Sequence, residues 1–195
     1  MTKRFDNFPC LQTKRLELIE INQSHLTDFY EIFKDERTTK YYNIITFKKK
    51  EDAQKYLDWF RLRYRDNQGI RWGIKLKDRQ GVIGTAGFNS YQKNQNANLG
   101  YDLHVDYRNK GYITEALSEI VNFGFETLEV NRIEAAVMQG NIASERVLEK
   151  LGFTNEGVLE ERMYWNNRHY EMTVFSLLKE NYKCRTDRRI KKRHS

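Results

Sequence analysis

Apolar residues along this chain recur with two periods, and the switches between them mark its elements. From Arg15 to Ile21 the alternation is that of a strand, and Ser24 is placed to cap a helix carrying Leu26, Phe29, Tyr30 and Phe33 on one face. The polar stretch Asp35 to Lys50 interrupts the pattern. A second amphipathic helix, Glu51 to Arg65, follows with Ala53, Tyr56, Leu57 and Phe60 on its face. Strands are predicted at Ile70 to Leu76 and Val82 to Ser90, joined by the turn Lys77-Asp78-Arg79-Gln80-Gly81. A strand from Asn98 to His104 leads into a helix whose Ile113, Ala116, Leu117, Ile120, Val121, Gly124 and Leu128 recur at helical spacing. Then come a strand, Arg132 to Met138, and a short helix, Ile142 to Leu151, closed by Gly152 as a C-cap. A hairpin runs from Val158 to Trp165, turns at Asn166-Asn167 and returns from His169 to Leu178. No repeat and no Pro- or Ser-rich linker divides the chain, so one α/β domain over residues 1–182 is expected, followed by a basic tail over 183–195.

The chemistry concentrates where the strand ending at His104 meets the next helix. Between them lies the basic, glycine-bearing turn Val105-Asp106-Tyr107-Arg108-Asn109-Lys110-Gly111. A helix start leaves backbone N–H groups without partners, and the helix dipole adds partial positive charge, so a phosphate placed there is stabilised twice. Gly111 has no Cβ to hold a ligand away. An ordinary strand-turn-helix with solvated Arg108 and Lys110 has the same local pattern, and a second motif separates the two readings. It is Asn141-Ile142-Ala143-Ser144-Glu145-Arg146-Val147-Leu148-Glu149-Lys150-Leu151-Gly152-Phe153.

In this order and spacing the two stretches resemble the acetyl-CoA-binding motifs of the GCN5-related N-acetyltransferase (GNAT) family. Leu11-Gln12-Thr13-Lys14-Arg15-Leu16, Gly157-Val158-Leu159 and Ser176-Leu177-Leu178-Lys179 extend the resemblance to the branch of ribosomal-protein N-terminal acetyltransferases. The resemblance implies a mixed central sheet of about seven strands flanked by about four helices. It implies direct acetyl transfer from acetyl-CoA, without a metal, to an amine. Backbone groups of Leu103 and Val105 would hold the pantetheine arm, and the amides of Arg108, Asn109, Lys110, Gly111, Tyr112 and Ile113 the pyrophosphate. Asn141 matches the asparagine that bonds the pantetheine, its amide offering both donor and acceptor. Arg146 and Lys150, about one turn apart, either face the CoA phosphates or are solvated helix charges.

Three positions depart from the family pattern. Leu148 stands where many members carry the tyrosine that protonates the thiolate, and leucine cannot donate. Ser144 matches the serine that the ribosomal-protein branch places near the sulfur and takes the proton-donor role, its alternative being a helix cap. Asn98 stands where the branch often has a glutamate base. Asp102, on the same strand face, and Glu160, Glu161 or Glu171 on the hairpin are the remaining candidates, beside a water chain serving an already partly neutral α-amine. Ile113 replaces a more usual small residue, which bears on packing more than on phosphate binding.

The acceptor groove is expected from Thr38-Thr39-Lys40-Tyr41-Tyr42-Asn43 and from the hairpin tip Tyr164 to Tyr170, unless those aromatics are core. An acceptor that is a protein α-amine, a polyamine or an aminoglycoside fits the motifs, as does a non-catalytic acyl-CoA binder. Clustered carboxylates that a polyamine would need are scarce.

Composition adds limits. With 39% hydrophobic residues in 195, one sizeable core is affordable. No apolar run reaches the ~20 residues of a bilayer span, and Met1-Thr2-Lys3-Arg4-Phe5 is not a secretory signal, so a cytoplasmic monomer or homodimer is expected. Cys10 and Cys184 form no ligand-spaced pair. The segment Lys183 to Ser195 carries +6 of the chain's +7, either to reach ribosomal RNA phosphate or as a solubility feature.

Overall fold

A computed structural model describes residues 5–184. The strands are β1 (Leu11–Gln12), β2 (Leu16–Glu20), β3 (Ile70–Leu76), β4 (Val82–Tyr91), β5 (Asn96–Leu103), β6 (Arg132–Met138), β7 (Thr154–Trp165) and β8 (Arg168–Leu178). Their hydrogen-bonded order is β1-β2-β3-β4-β5-β6-β8-β7. The helices are α1 (Leu26–Phe33), α2 (Glu36–Thr39), α3 (Lys50–Arg65), α4 (Tyr112–Glu126) and α5 (Ile142–Leu151), and residues 179–184 are also helical. The sheet is mixed, β5 running parallel to β6 while β6 and β8 are antiparallel.

The chain groups into two compact units. The first comprises the residues up to Ser90 with Leu99–Val121. Its β3 and β4 are buried on nearly every residue, the signature of inner strands covered on both faces. Phe29, Ile32 and Phe33 of α1 meet Ala53, Leu57 and Phe60 of α3 in one core cluster with Phe47, because helical spacing of 3, 4 and 7 puts each set on one stripe. The expected cap at Ser24 is corrected. Asn22, with extended backbone, accepts from the Ser24 N–H at 3.0 Å, and His25 Nδ1 accepts from the Asn22 N–H at 3.2 Å. That reciprocal pair starts a 3-10 turn over Gln23–His25, and α1 begins only after it. The polar stretch after α1 is not wholly irregular. Asp35 caps the short α2, and Thr38 and Thr39 are buried.

The second unit comprises Tyr91–Asn98 and the chain from Asn122 on. β6 and β8 pair along the full length of β6, and the β7–β8 hairpin turns at Asn166 and Asn167, both with positive φ (47° and 59°). β7 is an edge strand, exposed on almost every residue, and its register shifts between Asn155 and Gly157 and between Leu159 and Met163. Cys10 and Cys184 are exposed and unpaired. Among the described residues no helix is long and apolar enough to cross a membrane. The basic tail from Arg185 on lies outside the described residues.

Candidate active site

In the first unit β5 ends at the buried Leu103, and a 3-10 turn over Val105–Tyr107 carries the chain into the loop before α4. His104 fixes this turn, its Nδ1 accepting from the Asp106 N–H at 3.3 Å. Asn109 (φ 61°) and Gly111 (φ 78°) then adopt left-handed conformations that fold the backbone back on itself. The consequence is a row of donors. Among the described residues none accepts a hydrogen bond from the backbone N–H groups of residues 109–114, while the Glu115 N–H, donating to Gly111 O at 3.0 Å, makes the first helical bond. The Arg108 N–H is already committed to Val105 O at 3.2 Å, so the row begins one residue later than the sequence suggested.

The side chains of the loop are spent on shaping it. Arg108 donates to Arg37 O at 3.1 Å and to Leu103 O at 3.4 Å. Lys110 Nζ donates to Asp106 O at 2.8 Å and lies over the Tyr107 ring. Arg15 reaches across from the β1–β2 connection, its Nε donating to Glu115 Oε2 at 2.7 Å and its Nη1 to Lys110 O at 3.1 Å, with the guanidinium over the Tyr112 ring. Thr13 Oγ1 and the Arg15 N–H both donate to Glu115 Oε1, at 2.6 and 2.8 Å. Partial burial pushes the Glu115 carboxyl up, but these hydrogen bonds outweigh it and hold the group below the usual carboxylate range. The row of unpaired amides is a donor-rich surface of the kind that can bind a phosphate.

Asp102 occupies a different environment. Its carboxylate accepts from Arg71 Nη2 at 2.6 Å, from Thr85 Oγ1 at 2.6 Å and from the Thr85 N–H at 3.1 Å, and the side chains of Arg71 and Asp102 are only 3% and 2% exposed. Burial pushes the Asp102 carboxyl up, opposed by Arg71 and Thr85, while the surrounding partners hold the Arg71 guanidinium firmly charged. Arg71 also donates to Asn89 Oδ1 at 3.1 Å and to the Tyr42 hydroxyl at 2.8 Å. Gly100 leaves room beside it, since a Cβ there would lie 2.7 Å from Asn89 Nδ2 and 3.0 Å from Arg71 Nη1, and these side-chain ends would have to shift. Arg71 was missed in the sequence. Its signal was a lone arginine among Ile70, Trp72 and Ile74, matched by a lone aspartate in β5.

In the second unit Asn141, not Ser144, is the N-cap of α5. Its side-chain oxygen accepts from the Ser144 N–H at 3.4 Å, leaving the amide NH₂ of Asn141 with no acceptor among the described residues. Ser144 sits in the first turn, half-buried, and Arg146 is exposed one half-turn on. Leu148 is fully buried, so the position where other chains carry a tyrosine is core here. Gly152 closes α5 with φ 95°, as expected of a glycine C-cap. Glu160, Glu161 and Glu171 are exposed on the hairpin, as are Tyr164 and His169 near its tip. Among the described residues no group of three or more His, Cys, Asp or Glu side chains is placed to hold a metal.

A donor-rich helix start following a strand of an eight-stranded mixed sheet is suited to an anionic ligand such as a phosphate. The sequence matches the acetyltransferase (GNAT) domain family over residues 15–154, and the chain belongs to that family: it is an acetyl-CoA-dependent N-acetyltransferase. It is 36% identical over 173 residues to the uncharacterised N-acetyltransferase YoaA of Bacillus subtilis (strain 168), covering 88% of this chain and 98% of that one. It is 27% identical over 100 residues to the [ribosomal protein uS5]-alanine N-acetyltransferase of Escherichia coli (strain K12), covering 50% of this chain and 52% of that one. Among solved structures, RimL, the ribosomal L7/L12 alpha-N-protein acetyltransferase in complex with coenzyme A, superposes with a TM-score of 0.77 at 17% identity, over 89% of this chain and 99% of that one.

Proposed function

We propose that the acceptor is the α-amine of a protein N-terminus and that the reaction is direct acetyl transfer in the cytoplasm. The amine nitrogen attacks the thioester carbonyl, the C–S bond breaks, and the departing thiolate takes a proton. One observation carries the choice of acceptor. Around the expected acceptor segment, Asp35 is paired with Arg37 at 2.6 Å and Asp102 with Arg71 at 2.6 Å, so that Glu36 is the carboxylate there without an arginine among the described residues. One unpaired carboxylate in that segment is fewer than a polycation such as a polyamine calls for. A protein α-amine carries a single charge, and with an ordinary pKa of about 7.7 to 8.0 it is partly neutral at physiological pH, so it needs no dedicated strong base. Asp102, with its oxygens engaged, serves in this reading as the counter-charge of Arg71, and solvent takes the amine proton. The ribosomal-protein acetyltransferases among the relatives have acceptors of this class.

The amides of residues 109–114 would hold the pyrophosphate, Leu103 and Val105 backbone groups and the Asn141 amide the pantetheine, and Ser144 would supply the proton to the thiolate. Arg146 would add charge near the phosphates. The basic tail would serve association with a ribosome or another RNA-rich partner. Thiol release from acetyl-CoA, measured against N-terminal peptides, polyamines and aminoglycosides, tests the acceptor: peptides should give the highest kcat/KM, and a polyamine preferred over every peptide overturns the assignment. Ser144→Ala should lower turnover about tenfold with acetyl-CoA affinity kept, because the hydroxyl matters most as thiolate charge develops. Equal turnover removes Ser144 from the reaction.

A further inference from the structure

Arg15 meets the loop before α4 from a part of the chain 95 positions away, and its backbone is held before its side chain is placed. The Lys77 N–H donates to Arg15 O at 3.0 Å and Lys77 Nζ to Thr13 O at 2.7 Å, tying the β1–β2 connection to the end of β3. The Arg15 N–H and Nε then donate to the two oxygens of Glu115, at 2.8 and 2.7 Å, and the guanidinium lies 4.5 Å over the centre of the Tyr112 ring. So placed, Nη1 donates to Lys110 O at 3.1 Å, and Nη2 lies 3.5 Å from where a Cβ on Gly111 would be. A fixed cation therefore touches the carbonyl side of the peptide that joins Lys110 to Gly111.

That peptide is trans, so Lys110 O and the Gly111 N–H point in opposite directions from one plane. An arginine fastened to the carbonyl turns the N–H away from itself, and this N–H belongs to the row without an acceptor among the described residues. Glycine does not choose this orientation on its own. It adopts φ of either sign about equally, and rotating the 110–111 peptide by half a turn would exchange the observed φ of 78° for a negative value with no Cβ to oppose it. The rotated peptide would set the Gly111 N–H against the guanidinium, donor against donor, and present Lys110 O to an anion bound at the row.

We propose that Arg15 is a positioning residue for acetyl-CoA: it locks the Lys110–Gly111 peptide in the orientation that offers the Gly111 N–H, and not the Lys110 carbonyl, to the pyrophosphate. Glu115 and Tyr112 hold the guanidinium for this task, and Arg15 stays on the face of the peptide turned away from the phosphate. The role asks for the fork of an arginine. Nε reaches Glu115 while Nη1 reaches Lys110 O, and the single nitrogen of a lysine has no such planar fork to hold both in one geometry. This rests on the reading that the amides of residues 109–114 hold the pyrophosphate, and the experiment separates the two.

Dissociation constants are measured for the full chain, for Arg15→Met and for Arg15→Lys, with acetyl-CoA by calorimetry and with acetyl-pantetheine, which has the same thioester arm and no phosphate, by NMR titration. Arg15→Met should raise Kd for acetyl-CoA about tenfold, the loss of one hydrogen bond to a charged group, and leave Kd for acetyl-pantetheine unchanged. Arg15→Lys should show nearly the same loss, because the charge is kept and the fork is not. Wild-type affinity for acetyl-CoA in Arg15→Lys would mean that charge alone serves, and overturns the orienting role. An equal loss on both ligands in Arg15→Met marks a general weakening of the fold, and an unchanged Kd on both leaves Arg15 without influence on the loop; either overturns the proposal while the phosphate reading stands. Wild-type protein that binds the two ligands equally well overturns the phosphate reading and the role of Arg15 with it.

Discussion

Two arginine–carboxylate pairs of nearly equal length lie in the first unit of this protein, and their surroundings give them different work. Arg71 and Asp102 meet at 2.6 Å with side chains 3% and 2% exposed, and Arg15 and Glu115 meet at 2.7 Å with side chains 43% and 19% exposed. Within the sheet, where little water screens it, the first pair cannot lose a member without stranding a charge. Arg15 and Glu115 remain in contact with solvent and carry less energy each, but they hold the β1–β2 connection against the start of α4. Geometry alone does not rank ion pairs. The buried pair bonds a neighbouring phenol, and the exposed pair borders the loop of unpaired amides before α4.

The comparison breaks first at Arg71. Arg71→Met should cost about 3–5 kcal/mol in urea unfolding, because Asp102 would be left charged and unpaired, and adding Asp102→Leu to the same chain should restore much of it. A loss below about 1 kcal/mol would mean that water reaches the pair and that its burial does not set its energy. Next in size is the cradle. Acetyl-CoA at about a hundredfold over its Kd should stabilise the wild type by about 2.7 kcal/mol. Gly111→Asp should abolish that stabilisation by placing a carboxylate among the amides. Gly111→Ala should keep it, at a cost of about 1 kcal/mol of intrinsic stability for a side chain at positive φ. A folded Gly111→Asp protein that still responds to acetyl-CoA would remove the phosphate role from this loop.

The smallest effect is expected at the exposed pair. Glu115→Gln should cost about 1 kcal/mol, discounted for solvent around Arg15. The folded Glu115 carboxyl titrates below its ordinary value, so its contribution is complete above the unfolded pKa of about 4.3 and is lost as pH falls through the lowered folded pKa. Acid unfolding followed by circular dichroism checks the sign: the gap between wild type and Glu115→Gln should be constant near neutrality and close only in the acid limb. A gap that widens on acidification would contradict the assignment.

How much of this was legible in the sequence depended on whether a feature is local. The strands over Ile70–Leu76 and Arg132–Met138 and the helix Ile142–Leu151 have the expected bounds, because the spacing of apolar residues that marks them is written in neighbouring positions. Gly111 was legible as a residue without a Cβ ahead of an amphipathic run, whereas its left-handed φ of 78° came from the fold. β1, with two residues, has no period to read, and the cap at Asn22 rather than Ser24 turned on a reciprocal bond with His25 that propensity does not distinguish.

What only the tertiary structure decided is which polar groups are already spent. Asp102 was read as a free carboxylate because its own strand says nothing about Arg71, 31 residues earlier, and Glu115 shows its partners Thr13 and Arg15 only after folding brings positions about a hundred apart together. The sequence determined the strand, the turn and the helix start to which the acyl-CoA role is proposed, since local backbone geometry suffices for those. Folding decided the ionisation and hydrogen-bond partners of the side chains around it, because charge and burial depend on neighbours in space that no local pattern records.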